Sequence, residues 1–81
     1  MTPEAIQALI EQGFDDVEAQ VSGADGVHFE AVVISPAFEG LGTLKRHRLV
    51  YGTLGERMGN EIHALSLKTF TPDEWRDVQA S

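Results

Sequence analysis

Apolar and polar residues follow two different periods along this chain, and the switches between them mark out its elements. Ile6, Leu9 and Ile10 recur at helical spacing behind Thr2, a residue able to cap a helix, with Pro3 at the first helical position; Gly13 stops the run. After Phe14-Asp15-Asp16 the period changes to two. Val17, Ala19 and Val21 alternate with Glu18, Gln20 and Ser22, as expected of a half-buried strand. Gly23-Ala24-Asp25-Gly26 reads as a hairpin turn, and the returning strand, Val27 to Ile34, is dense in β-branched residues and ends at Ser35-Pro36. Two strands joined so tightly should be antiparallel. The segment from Pro36 to Gly42 is a loop or short turn, from which Phe38 folds back as a core plug.

Thr43 is placed to cap a second helix reaching to about Met58, with Leu44, His47, Val50, Tyr51, Leu54 and Met58 as its inward stripe. Lys45, Arg48 and Glu56 fall on its other faces. Gly52 and Gly55 would weaken the middle of that helix by up to ~1 kcal/mol each relative to Ala, and Gly59-Asn60 closes it. Ile62 to Phe70 is a third strand. Thr71-Pro72-Asp73-Glu74-Trp75 then opens a last short helix, with Thr71 as cap, Glu74 completing a capping box, and Trp75 packing back onto the body. The order helix, strand, strand, helix, strand, helix predicts an α+β sandwich of two layers: a three-stranded mixed sheet with the helices on one face. No internal repeat, low-complexity segment or linker interrupts it, so residues 1–81 read as one domain.

Size and composition narrow the function. A chain of 81 residues buries only roughly 60% of its unfolded surface. Its core is thin, which favours an adaptor or binding module over an enzyme with a deep pocket. There is no cysteine, so disulfides, thiolate metal sites and cysteine nucleophiles are excluded, and any iron–sulfur role must borrow sulfur from elsewhere. The N-terminus shows no signal-peptide pattern and no run approaches the roughly 18 apolar residues of a membrane span, so a soluble cytoplasmic protein is expected, with no membrane partner. The formal net charge of −7 argues against tight, non-specific nucleic-acid binding.

One segment runs against that charge. Lys45, Arg46 and Arg48 are three of the 6 basic residues, and with His47 they fill four consecutive positions. The group is either a solvated helix start or, because cations at a helix N-terminus are unfavourably placed relative to the helix dipole, a site for an anion or an acidic partner surface. His47 itself, between two arginines, is expected to make a structural hydrogen bond.

Two other histidines have open readings. His63 shares by alternation the face of Leu65 and Leu67, which makes it either a partly buried core histidine or a metal ligand at the mouth of the strand. His28 follows the hairpin turn and is either a surface residue or a second ligand. The two act together only if the sheet brings them to one end, and strand order is not readable here. Gly52-Thr53-Leu54-Gly55 matches the Gly-x-x-Gly loop of KH domains in letters only, since it falls within a helical stripe and has no basic residue between its glycines. No pairing of nucleophile and base occurs, and no enzyme activity is expected.

Four ordered motifs go further. Phe38-Glu39-Gly40, then Leu44-Lys45-Arg46-His47-Arg48-Leu49-Val50-Tyr51, then Ile62-His63-Ala64-Leu65-Ser66-Leu67-Lys68-Thr69, then Thr71-Pro72-Asp73-Glu74-Trp75 resemble the BolA family, and the short hairpin turn is similar to its compact YrbA/IbaG-type branch. The resemblance implies a class II KH-like fold, with Phe38, Gly40, His47 and Trp75 as structural motif residues. It implies partnership with a monothiol glutaredoxin carrying a Cys-Gly-Phe-Ser site, around a [2Fe-2S] cluster shared with that glutaredoxin and glutathione. The isolated chain would hold no cluster.

In that picture His63 is the ligand from this chain. A second ligand comes, in the family, from the loop between the first two strands, where this chain has neither His nor Cys from Gly23 to Gly26; His28 is the nearby candidate. The resemblance also implies an alternative: a DNA-binding regulator of stress response and morphology, with Arg46, His47 and Arg48 against DNA. A homodimer is left open.

Overall fold

In the computed structural model, which describes residues 1–23 and 25–80, the predicted order of elements holds. Ala24, inside the predicted turn, and Ser81, the last residue of the predicted domain, lie outside the described residues. Helix α1 spans Pro3–Gln12, with Thr2 accepting a hydrogen bond from the Ala5 amide at 3.1 Å and Gly13 closing the helix. Strand β1 is Glu18–Ser22, strand β2 is His28–Ile34 and strand β3 is Ala64–Phe70. Helix α2 spans Thr43–Leu54 and helix α3 spans Pro72–Ala80.

The sheet has the order β1-β2-β3: β1 and β2 are antiparallel and β2 and β3 are parallel. One face of it, carrying Ala19, Phe29, Ala31 and Val33, is buried against Ile6 and Ile10 of α1 and Val50 and Leu54 of α2. Alternation explains the choice of face, because Gln20, Glu30 and Lys68 would otherwise enter the core. Phe38 is fully buried in a short 3₁₀ turn, Pro36–Phe38, and meets Phe14 edge-on with ring centroids 5.6 Å apart. The predicted plug is therefore there. Ser35 ties this turn to the start of β1 by donating its hydroxyl to the Asp16 carbonyl at 2.6 Å.

The second helix departs from the expectation in three ways. Gly42, not Thr43, is its N-cap, and no side chain caps it. Leu44, expected in the inward stripe, is 63% exposed. The helix also ends at Leu54 instead of Met58. Gly55 caps it with φ +56° and ψ −132°, a conformation that a residue with a Cβ reaches only at a cost of roughly 1–3 kcal/mol, and a 3₁₀ turn, Gly55–Arg57, follows. Periodicity missed this because Met58 continues the apolar spacing from another element. The Gly-x-x-Gly letters thus form the last turn and cap of α2.

Helix α3 is held by the predicted capping box. The Glu74 amide donates to Thr71 Oγ1 at 3.2 Å and the Thr71 amide donates to Glu74 Oε1 at 2.8 Å. Trp75 packs back on Phe70, ring centroids 5.2 Å apart.

Candidate functional site

His63 is positioned by its neighbour. Ile62 is fully buried; its amide donates to the Arg57 carbonyl at 2.9 Å and its carbonyl accepts from the Gly59 amide at 2.8 Å, which anchors the chain immediately before β3. His63 sits in the bend between that anchor and Ala64, and it is exposed. The partly buried core histidine is thereby excluded: the strand starts two residues later than predicted, and Ile62 takes the core position.

The sheet decides what the sequence left open. In the parallel pairing of β2 with β3, His28 lies opposite Ala64, so His63 follows the same end of the sheet as His28, one residue ahead of its register partner. An antiparallel β3 would have put them at opposite ends. His28 is 73% exposed at its side chain, and its Nδ1 lies 2.8 Å from Oδ2 of Asp25. The other carboxylate oxygen, Oδ1, accepts from the backbone amides of Val27 at 2.9 Å and His28 at 2.8 Å. These bonds, the imidazole's first and the two amides' next, hold the Asp25 carboxyl well below the usual carboxylate range.

Close packing supports this turn from below. A Cβ built on Gly23 would lie 2.5 Å from the ring of Phe29, so the chain can approach β2 here only as glycine. Sequence reading found His28 but passed over Asp25 as a turn residue. The signal was the spacing Asp-x-x-His at the mouth of a strand.

No group of three or more His, Cys, Asp or Glu side chains able to hold a metal occurs among the described residues. A metal at this end would need further ligands from another molecule. His28 and His63, imidazole donors exposed at one sheet end, suit a site shared in that way.

The basic cluster divides into two. Lys45 and Arg48 are exposed, and no ion pair to either is present among the described residues. With Leu44 and Leu49, which is 43% exposed, they form one outward face of α2. Arg46, expected as a docking cation, is instead built into the fold, and this corrects that reading. Its side chain is only 13% exposed; Nη1 and Nη2 grip Glu74 at 2.6 and 3.1 Å, and Nε donates to the Leu41 carbonyl at 2.8 Å. The guanidinium also lies 5.9 Å from the Phe38 ring centre. Glu74 is pulled down to about 2, first by the Arg46 bond and then by the Thr71 amide.

His47 is half-buried and meets Tyr51 edge-on, ring centroids 6.4 Å apart, so among the described residues the contact it makes is with a ring and not the hydrogen bond expected. Gly40 takes φ +74° in the loop before α2. An open groove of about 660 Å³ lined by Ile34, Pro36, Pro72 and Trp75 lies at the other end of the sheet, remote from both histidines. No helix among the described residues is long and apolar enough to cross a membrane.

Comparison with known proteins follows the same lines. The family model for BolA-like protein matches residues 5–74. The chain is 39% identical over 77 residues to human BolA-like protein 1, covering 95% of this chain and 53% of that one, so it spans about half the length of that relative. It is 38% identical over 76 residues to the acid stress protein IbaG of Escherichia coli K12, covering 93% and 89%. A match of 44% over 52 residues, 64% of this chain and 50% of the relative, is to the DNA-binding transcriptional regulator BolA of the same strain. Among solved structures, a bolA protein homologue from Coxiella burnetii superposes with a TM-score of 0.85 at 52% identity, covering 94% of this chain and 97% of that one.

Proposed function

The chain belongs to the BolA-like protein family, and from that premise we propose that it is a non-enzymatic adaptor in iron–sulfur cluster and iron homeostasis, pairing with a monothiol glutaredoxin around a shared [2Fe-2S] cluster. The observation that carries this reading is the parallel β2–β3 register, with His28 and His63 exposed at one end of the sheet. With 0 cysteines and no group of three ligands among the described residues, this chain offers imidazole and leaves sulfur to the partner. Bound there, the cluster supplies one-electron chemistry and a cargo for transfer, and replacing thiolate by imidazole raises its potential.

The chain's own residues do the rest. Ile62 fixes the backbone beside His63, and the turn at Asp25 fixes that beside His28. Lys45 and Arg48, with Leu44 and Leu49 beside them, give an otherwise acidic molecule one cationic and partly apolar helix face, which fits an acidic rim on the partner.

The test is to mix the apo chain with a cluster-loaded glutaredoxin and follow the visible absorption and circular dichroism. The wild-type chain changes the spectrum, and His63→Ala abolishes or alters that change. A spectrum indifferent to His63→Ala overturns the ligand assignment.

DNA binding is the second reading, and the exposed Lys45 and Arg48 are the observation in its favour. With only those two cations free on α2, log K should fall against log[salt] with a slope of about −2. A steeper slope would mean a larger basic footprint than α2 offers.

A further inference from the structure

His28 is more than an exposed imidazole beside a turn. Asp25 Oδ1 alone suffices to cap the turn, because it takes both backbone amides, from Val27 and His28. Oδ2 is left over, and it holds His28 Nδ1 at 2.8 Å. An ionised carboxylate has only acceptors, so the ring nitrogen facing it must carry the hydrogen. In a neutral imidazole the other nitrogen, Nε2, then has the lone pair and points away from the carboxylate.

We infer that Asp25 is a positioning residue which locks His28 in the Nδ1–H tautomer and so makes Nε2 the electron-pair donor presented to a metal at this end of the sheet. The inference rests on the cluster-sharing reading for its biological use, and it names the second donor that the short loop leaves unassigned. It has the form of the carboxylate–histidine–metal arrangement, in which the outer carboxylate orients the ring and raises the basicity of the ligating nitrogen. Without the carboxylate, a free imidazole prefers the opposite tautomer, with hydrogen on Nε2, and must rearrange before Nε2 can bind. The 73% exposure of the His28 side chain leaves room for a ligand to approach.

Asp25→Asn separates the two jobs of this side chain. The amide oxygen can still accept from the backbone at Val27 and His28, while the amide nitrogen now donates to Nδ1 and favours hydrogen on Nε2. The turn survives and the tautomer reverses. The measurement is long-range ¹H–¹⁵N correlation of the imidazole in the apo protein, at a pH where the ring is neutral, followed by titration with Zn²⁺ alone.

For the wild type we expect hydrogen on Nδ1 and a Zn²⁺-dependent shift at Nε2. For Asp25→Asn we expect the reversed tautomer and Zn²⁺ affinity at His28 about 10–100-fold lower. His28→Ala, at an exposed position, keeps the fold and removes the response. Hydrogen on Nε2 in the wild type overturns the inference, and so does an Asp25→Asn affinity within twofold of wild type. Should Asp25→Asn fail to fold, the wild-type tautomer and its zinc response decide the matter alone. None of these measurements involves a glutaredoxin, so they can succeed while cluster sharing fails, and the reverse.

Discussion

Arg46→Ala separates a cation that docks partners from one that holds the fold. The replacement removes the Nε bond to the Leu41 carbonyl, 2.8 Å long and part-buried, together with the forked grip on Glu74 and the contact with Phe38. Counting the Leu41 bond alone, a hydrogen bond with one charged partner is worth about 1.5–3 kcal/mol. In a domain of 81 residues that lowers Tm by roughly 6–24 °C. The Glu74 pair is half exposed and adds to this without being needed for it.

Lys45→Ala and Arg48→Ala touch exposed positions, and each should change stability by no more than about 0.5 kcal/mol, or roughly 2–4 °C. Arg46→Lys should behave much as the alanine variant does, because an ammonium cannot reproduce the fork. The assay is thermal unfolding of the four variants by circular dichroism. If Arg46→Ala melts within about 2 °C of the wild type while Lys45→Ala and Arg48→Ala fall by more, the division of the basic cluster is wrong.

Glu74 carries a pH dependence with a definite sign. Its carboxyl lies at about 2 in the folded chain against an ordinary 4.5, so its contribution to stability is complete above 4.5 and is lost as pH falls through about 2. Thermal melts at a series of pH values should therefore find Glu74→Gln less stable than wild type near pH 7, with the gap closing by pH 2; a gap constant with pH would mean that Glu74 contributes by packing alone. Phe38, fully buried, should cost about 3–5 kcal/mol when replaced by Ala. Against a total of about 4–12 kcal/mol for 81 residues, that leaves a marginal fold. A urea midpoint within error of the wild type would show that Phe38 is not the plug it is described as.

The sequence determined what local forces decide. The caps at Thr2 and Thr71, the alternation of Val17, Ala19 and Val21, and the period of α1 each depend on neighbours a few residues away, and these elements stand where the pattern puts them. Where two elements continued one apolar spacing, as at Leu54 and Met58, pattern alone ran them together, and only the backbone at Gly55 marks the break.

Long-range pairing was out of its reach. Alternation says which residues share a face of a strand but carries nothing about which strand lies alongside or in which direction. The parallel union of β2 with β3 brings His28 and His63 to one end of the sheet, and it joins segments more than thirty residues apart. The fate of Arg46 has the same origin. Charge clustering marked it as a docking cation, while Glu74, its partner 28 positions along, meets it only once α2 and α3 are packed. Chemistry that is spelled in the chain becomes a site only through contacts made by folding, since distance along the chain says little about distance in space.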